Sequence, residues 1–350
     1  MEIRTFEWEQ VEIPLKKPFK IALGTTEVYR GVILRICTEE YCGYGEAAPS
    51  PRITGETTES VIGALKKMKS LVLGKNPLDV GRIMNDVNRA IVGNTSAKSA
   101  VDMALHDILG KRSSLPLYMI LGGERDRIPT SLTVGLGSVK DTVKSSKNLI
   151  SQGARILKVK IGGDPEEDIE RIRAIREITD IPIRVDANQG YTLKRAMYVL
   201  RSIYRYDVEF VEQPIPAKQI EDLAILRKET EIPIMADESA HSKEDVLRLI
   251  GKVDAINIKL MKSGGIREAI RIISLARAAG MKVMVGCMVE TKLGISAGAH
   301  FALGYGADYA DLDGFWDLSS QPFEGVKFKD GFIEVSERAG LGIVENKENP

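Results

Sequence analysis

Five successive segments of this 350-residue chain carry ionised groups where apolar side chains are expected. Leu157-Lys158-Val159-Lys160-Ile161 places two lysines at i, i+2, hence on one face of a strand. Val185-Asp186-Ala187-Asn188, Val211-Glu212-Gln213-Pro214 and Ala236-Asp237-Glu238-Ser239 each end an apolar run in a carboxylate, and Ile256-Asn257-Ile258-Lys259 ends one in a lysine. Consecutive segments lie about one strand–helix unit apart. Taken singly, such a charge is ordinarily an edge-strand residue or the N-cap of the next helix. Five in a row cannot all be edges, because unpaired buried charge is too costly to accumulate by accident.

The residue types narrow the chemistry. Asp186, Glu212 and Asp237 offer only oxygen, which suits a hard cation such as Mg²⁺ and not zinc. Lys160 and Lys259 flank that metal from opposite sides. Two amines facing a metal-bound carboxylate suit removal of the proton from the carbon beside it, with the cation stabilising the enediolate that forms. A lysine serves as base only if its pKa falls towards ~7–8, and a second cation nearby lowers it. Lys158, on the same face as Lys160, is placed to do this and to touch the substrate carboxylate. If one lysine takes the proton and the other returns it from the opposite face, the outcome is racemisation or epimerisation.

These residues need a scaffold. After Gly122-Gly123 the chain alternates short apolar strands with amphipathic helices. Strands are expected at Thr130–Val134, Leu157–Ile161, Ile183–Asp186, Glu209–Glu212, Ile234–Asp237, Ala255–Lys259, Lys282–Cys287 and Tyr309–Asp313. Eight such units are the pattern of a (β/α)8-type barrel, whose C-terminal rim is where active sites are built. The first part is α+β: strands at Glu2–Pro14, Val28–Thr38 and Tyr41–Glu46, then helices, one with Ala97, Ala100, Val101, Ala104, Leu105, Ile108 and Leu109 on a buried face. The tail after Phe315 has two strand-like pieces, Val326–Phe328 and Phe332–Val335.

Composition excludes several classes. Lys and Arg together number 49 and so do Asp and Glu, a balance unlike that of a nucleic-acid or membrane-surface binder. The opening MEIRTFEWEQ lacks the apolar core of a signal peptide, so a cytoplasmic protein is expected. Cys37, Cys42 and Cys287 have no metal-ligand spacing and are expected to be reduced thiols.

The motifs Gly43-Tyr44-Gly45-Glu46-Ala47, Ala100-Val101-Asp102-Met103-Ala104-Leu105-His106-Asp107, Leu121-Gly122-Gly123, Lys158-Val159-Lys160, Asp186-Ala187-Asn188, Glu212-Gln213-Pro214, Asp237-Glu238-Ser239 and Asn257-Ile258-Lys259 resemble those of the enolase superfamily, in the subgroup that includes muconate cycloisomerase. The resemblance spans nearly the whole chain. It implies a modified TIM barrel of (β/α)7β type (126–314), an N-terminal α+β capping domain (1–125), a C-terminal tail (315–350) that completes the cap, an essential Mg²⁺ and an enolate intermediate. It also implies that two capping loops, Phe19–Thr26 and Ala47–Thr57, close over the site and select the substrate.

The last barrel strand narrows the activity. Asp311-Leu312-Asp313 looks like the Asp-x-Asp with which dipeptide epimerases bind the substrate's α-ammonium, and a free amine among cations does need compensating anions. Thr133 and Cys287 match positions lining the same pocket. The expectation is therefore a dipeptide epimerase acting on the C-terminal residue of an L-Ala-L-Xaa substrate, with Lys160 and Lys259 catalytic. Lys158, Thr133, Cys287, Asp311 and Asp313 would bind substrate, and Asp186, Glu212 and Asp237 the metal. A dipeptide is the expected partner, with no nucleic acid or membrane, in a homo-oligomer. Members acting on L-Ala-D/L-Glu carry an arginine in the first capping loop, where this chain has Gly24; Lys20 or Arg52 could substitute, and Phe19, Ile21 and Ile53 suit an apolar or aromatic side chain.

Four rivals remain on the residues. An o-succinylbenzoate synthase or N-acylamino-acid racemase uses the same lysines but gives no reason for Asp311 and Asp313. A sugar-acid dehydratase needs a histidine near the end of the seventh strand, where none occurs. A phosphate site at Lys262-Ser263-Gly264-Gly265 competes with a tight turn. A non-catalytic peptide or amino-acid binder has no use for two opposed bases.

Overall fold

The computed structural model describes residues 1–346; the last four positions of the expected tail, 347–350, lie outside the described residues. Three antiparallel strands open the chain: β1 (Thr5–Ile21), β2 (Gly24–Cys37) and β3 (Cys42–Ala47). Helices α1 (Thr58–Val72), α2 (Val80–Ala90) and α3 (Thr95–Ser113) follow. α1 begins at a reciprocal capping box between Thr57 and Ser60. Together they bury a core around Phe6, Leu34, Leu65, Met84 and Leu105. β3 lies directly on α3. A side-chain carbon at Gly43 or Gly45 would stand about 2.0 or 1.9 Å from the carbonyl oxygens of Ala104 and Ala100, so only glycine permits this approach.

The barrel follows. A two-residue strand, β4 (Ile128–Pro129), precedes eight parallel strands in sequential order: β5 (Leu132–Val134), β6 (Leu157–Lys160), β7 (Ile183–Asp186), β8 (Val208–Glu212), β9 (Ile234–Ala236), β10 (Ala255–Lys259), β11 (Lys282–Gly286) and β12 (Tyr309–Asp311). Each expected strand is present: β7 and β10 match their expected bounds, β8 begins one residue earlier, and the other five are shorter by one or two residues. The seam between first and last strands is closed by a parallel bridge, Thr130 to Ala310, and by Leu312 N donating to Thr130 Oγ1 at 2.9 Å. The barrel floor is apolar, with Phe210, Met235, Ala255 and Met284 buried together. One cation sits there: buried Arg184 pairs with Glu209 at 2.7 Å and faces the rings of Phe210 and Tyr309.

The strand-like pieces of the tail form β14 (Lys327–Lys329) and β15 (Phe332–Glu334), with β13 (Phe323–Glu324) pairing β16 (Val344–Glu345). β15 pairs with β4, at the base of the barrel. Other tail residues reach the cap, Ser319 N donating to Pro14 O at 3.0 Å and Leu341 N to Asp107 Oδ1 at 2.9 Å. No described helix is long and apolar enough to cross a membrane.

The expectation of three reduced thiols fails in the cap. Cys37 and Cys42 form a disulfide, leaving Cys287 as the free cysteine of the described residues. The two are directly opposed at the last paired positions of β2 and β3, 4.1 Å apart at Cα. Cross-strand register creates that pair, and a cysteine count carries no register.

Candidate active site

At the C-terminal rim the chain-order charges become spatial neighbours. Lys160 is opposite Asp186 in the β6–β7 register and Asp186 is opposite Glu212 in β7–β8. Lys160 Nζ lies 2.6 Å from Asp186 Oδ2, and Lys259 Nζ lies 2.7 Å from Asp237 Oδ2. The three carboxylates are completely buried. Above them is a cavity of about 510 Å³ lined by Lys158, Lys160, Lys259, Thr133, Cys287, Asp311 and Asp313 among others. All ten residues singled out in the sequence therefore meet at one place.

Charge is heavily compensated. Lys158 Nζ is held by Asp311 at 2.6 Å, Glu212 at 2.8 Å and Asp186 at 3.0 Å. Burial opposes its charge, but these three carboxylates hold its pKa well above the ordinary lysine value. For Asp186, burial raises the pKa, yet Lys158 and Lys160 pull it down to about 2. Glu212 is pushed up to about 7 by burial and by Asp186, and Glu238 to about 8 by burial and by Asp237. At Lys259 the expected downward shift is not what these contacts produce. Burial lowers the Lys259 pKa, but Asp237 and Glu212 more than reverse it, so the amine is held protonated. Lys158 spends its ammonium on carboxylates rather than presenting it as a lone cation.

An oxygen-binding cation fits this donor set. The ligand atoms available are carboxylate oxygens, and the side-chain oxygens Glu238 Oε2 and Asn188 Oδ1 are buried without a hydrogen-bond donor among the described residues. In this conformation no three carboxylates close on a common point among the described residues, since the lysine ammonium groups stand between them.

Several bracing residues escaped the sequence reading. Gln213 Oε1 accepts from Asp237 N at 3.0 Å and Ser239 N at 3.1 Å, fixing the carboxylate-bearing segment after β9. Asn257 donates to Glu212 Oε1 at 2.8 Å. Asn188, two residues after Asp186, and Gln213, directly after Glu212, adopt left-handed φ of 40° and 35°. Such backbone strain persists only where surroundings over-determine it. Local spacing holds no trace of these contacts, because each crosses to another strand.

Asp311 and Asp313 differ. Asp311 is occupied, accepting from Ser131 at 2.7 Å and Lys158 at 2.6 Å. Asp313 Oδ2 accepts from Thr133 N at 2.7 Å. Burial and Asp311 push its pKa up to about 7. Cys287 turns its Sγ to the Asp311 carbonyl at 3.2 Å. In the cap, Phe19, Ile21, Arg52 and Ile53 line the cavity; Lys20 is absent from the lining, and its carbonyl instead accepts from Leu136 N at 2.9 Å, pinning the hairpin tip to the barrel. The alternative phosphate turn is filled: Asp102 Oδ2 already takes Ile266 N at 2.6 Å and Arg267 N at 3.3 Å.

Residues 141–349 match the family model described as enolase C-terminal domain-like, and residues 3–122 that of the mandelate racemase / muconate lactonizing enzyme N-terminal domain. The chain belongs to the enolase superfamily. Among enolase-superfamily relatives, a hydrophobic dipeptide epimerase of Enterococcus faecalis is 38% identical, covering 98% of this chain and 99% of its own. The substrate-liganded L-Ala-D/L-Glu epimerase of Bacillus subtilis superposes with a TM-score of 0.96 at 38% identity, over 99% of both chains. An E. faecalis dipeptide epimerase complexed with Mg and L-Leu-L-Tyr also superposes at 0.96, with 37% identity over 99% of this chain and 100% of that one.

The superfamily motifs in the cap turn out to be joints. Glu46 of β3 reaches the barrel helix Lys292–Gly304, accepting from Thr291 N at 2.8 Å and Gly294 N at 2.9 Å, and takes Tyr29 Oη at 2.6 Å. Asp107 of α3 takes Tyr44 N and Leu341 N, tying β3 and tail to one helix. Beside Glu46 lies buried Glu290, whose pKa is pushed to about 8 by burial and by the Glu46 charge. A carboxyl raised in the fold adds stability below its unfolded value near 4.5, and that contribution disappears as pH rises through 8. Glu290→Gln is therefore expected to stabilise the protein more at pH 9 than at pH 5, by on the order of a few kcal/mol at the alkaline end, seen as a larger rise in melting temperature there. Equal melting shifts at both pH values would show that Glu290 does not titrate in this window.

Proposed function

We propose that this chain is a Mg²⁺-dependent dipeptide epimerase that inverts the α-carbon of the C-terminal residue of an L-Ala-L-Xaa type dipeptide. The observation that carries this is the pairing of Lys160 and Lys259 on separate strands lining one cavity, each against a buried carboxylate, with Asp313 lining the same cavity. Asp186, Glu212 and Asp237 would hold the cation. Bound there, Mg²⁺ supplies electrostatic stabilisation of the negative charge that builds on the substrate carboxylate.

The protein's own groups do the rest. One lysine amine takes the α-proton and the other, already an ammonium, delivers a proton to the opposite face, so the net change is inversion with no other bond broken. Asp313, with one carboxylate oxygen taken by Thr133 N, offers its other oxygen to the substrate ammonium. Asp311 anchors Lys158 beneath it. The β1–β2 hairpin and the Pro49–Ile53 turn, bringing Phe19, Ile21, Arg52 and Ile53, exclude water and meet the substrate side chain. In this reading residues 1–125 are the cap, 126–314 the barrel and 315–350 the tail.

Incubation with Mg²⁺ and pooled L-Ala-L-Xaa dipeptides in D₂O tests it by mass spectrometry. The expected result is a one-dalton gain in particular dipeptides, which also reveals the side-chain preference. No gain with the cation shown to be bound would favour N-acylamino-acid racemisation or o-succinylbenzoate synthesis, and would leave Asp313 without a role.

A further inference from the structure

Lys262 stands outside the charge pattern that marks the site, yet its side chain is wholly enclosed, with 0% exposure. Its ammonium lies 2.5 Å from Asp237 Oδ1 and 2.5 Å from the Asp237 carbonyl oxygen, with the Asn257 and Ala240 carbonyls at 3.0 and 3.1 Å. These acceptors use all three N–H bonds. Asp237 is thus gripped by two lysines, one per oxygen: Lys262 on Oδ1 and Lys259 on Oδ2. The two are not equivalent. Lys259 lines the cavity, whereas Lys262 lies behind the carboxylate and does not. A cation arriving through the cavity can take Oδ2 from Lys259 but has no approach to Oδ1.

We propose that Lys262 is a positioning residue that confines Asp237 to one-oxygen coordination and thereby biases the cation site towards Mg²⁺ over Ca²⁺; this rests on Asp237 being a metal ligand. Mg²⁺ takes six ligands in near-ideal octahedral geometry at roughly 2.0–2.1 Å, which single carboxylate oxygens satisfy. Ca²⁺ accepts about 6–8 oxygens at roughly 2.3–2.6 Å and gains readily from a carboxylate that offers both. An ammonium fixed on Oδ1 withholds that second oxygen. The three carbonyl contacts keep it there, because the amine cannot swing away without leaving backbone acceptors unpaired in the interior.

The test is calorimetric titration of the purified full-length chain with MgCl₂ and, separately, CaCl₂, without substrate. In Lys262→Met the ratio of the Ca²⁺ to the Mg²⁺ dissociation constant is expected to fall about tenfold, because Oδ1 becomes available. Lys259→Met, which vacates Oδ2, is expected to leave that ratio within about twofold. A lysine that merely holds the loop together would weaken both cations alike, so an unchanged ratio in the folded variant overturns the proposal. A ratio shifted as much by Lys259→Met overturns it too. Should Lys262→Met not fold, the unaltered protein answers through infrared difference spectra on Ca²⁺ loading. The carboxylate band lost in Asp237→Asn should show the wide splitting of one-oxygen coordination, and the narrow splitting of a bidentate carboxylate overturns the proposal. Binding of neither cation by the unaltered chain would instead remove the metal-site reading beneath it.

Discussion

Lys160→Ala and Lys259→Ala are each expected to cut epimerisation by about 10³-fold or more, the scale of a lost general acid or base that nothing nearby replaces. The geometry makes the two losses distinguishable. Lys160 sits on β6 against Asp186, and Lys259 on β10 against Asp237, so each amine serves its own side of the cavity. Removing one leaves the other able to pull a proton from the epimer that presents it. Each variant should therefore still exchange the α-hydrogen of one epimer with D₂O while failing to interconvert the pair, and the two variants should prefer opposite epimers. Substrate binding should survive, since Asp313 and the cap-side lining are untouched. If either variant epimerises at the normal rate, two-base transfer is wrong. If both exchange the same epimer, the assignment of opposite faces fails.

Asp186→Asn is expected to weaken Mg²⁺ binding by about 10²-fold or more, read by calorimetry without substrate. Asp186 is the most densely used of the three carboxylates. Its Oδ2 meets Lys160 at 2.6 Å and Lys158 at 3.0 Å, and its Oδ1 takes Asn188 N at 2.9 Å. The amide keeps the shape but removes the negative charge, leaving two buried ammonium groups with one fewer counter-ion. The same variant should consequently melt at a lower temperature. Unchanged Mg²⁺ affinity would take Asp186 out of the ligand set, whatever happened to the melting point.

The disagreement over lysine basicity has a physical origin that bears on both experiments. Sequence spacing says which groups are near, but not which partner each will choose. Lys158, expected to lower the pKa of the base, is instead neutralised by three carboxylates, one of them the distant Asp311. A divalent cation taking over Asp186, Glu212 and Asp237 would withdraw those negative charges from the amines, and only then does the expected lowering apply.

The charged residues of the site were legible because a barrel strand is covered on both faces and tolerates no idle charge. Lys160, Asp186, Glu212, Asp237 and Lys259 stand out against valine and isoleucine, and the repeat of strand and helix sets them at one rim. Even the Asp311–Asp313 pair is visible as two carboxylates at i, i+2, although β12 ends at Asp311 and Asp313 follows it. The eight barrel strands and their sequential order followed from the same periodicities, whereas the structure adds the short strands β4, β13 and β16 and carries the β1–β2 hairpin through the expected loop at Phe19–Thr26.

Contacts that join segments far apart in the chain were not legible. Lys262 reads as part of a turn, yet it is enclosed behind Asp237. Gln213 and Asn257 read as polar neighbours of functional residues, and become braces only when adjacent strands meet. Cys37 and Cys42 look like unrelated thiols until register sets them opposite each other. Local alternation and residue type determine which side chains must face the barrel interior, because burial is a property of each strand by itself. Which oxygen each amine takes and which carboxylate stays open to a ligand were decided only by tertiary packing, because those depend on distances between strands that no single segment contains.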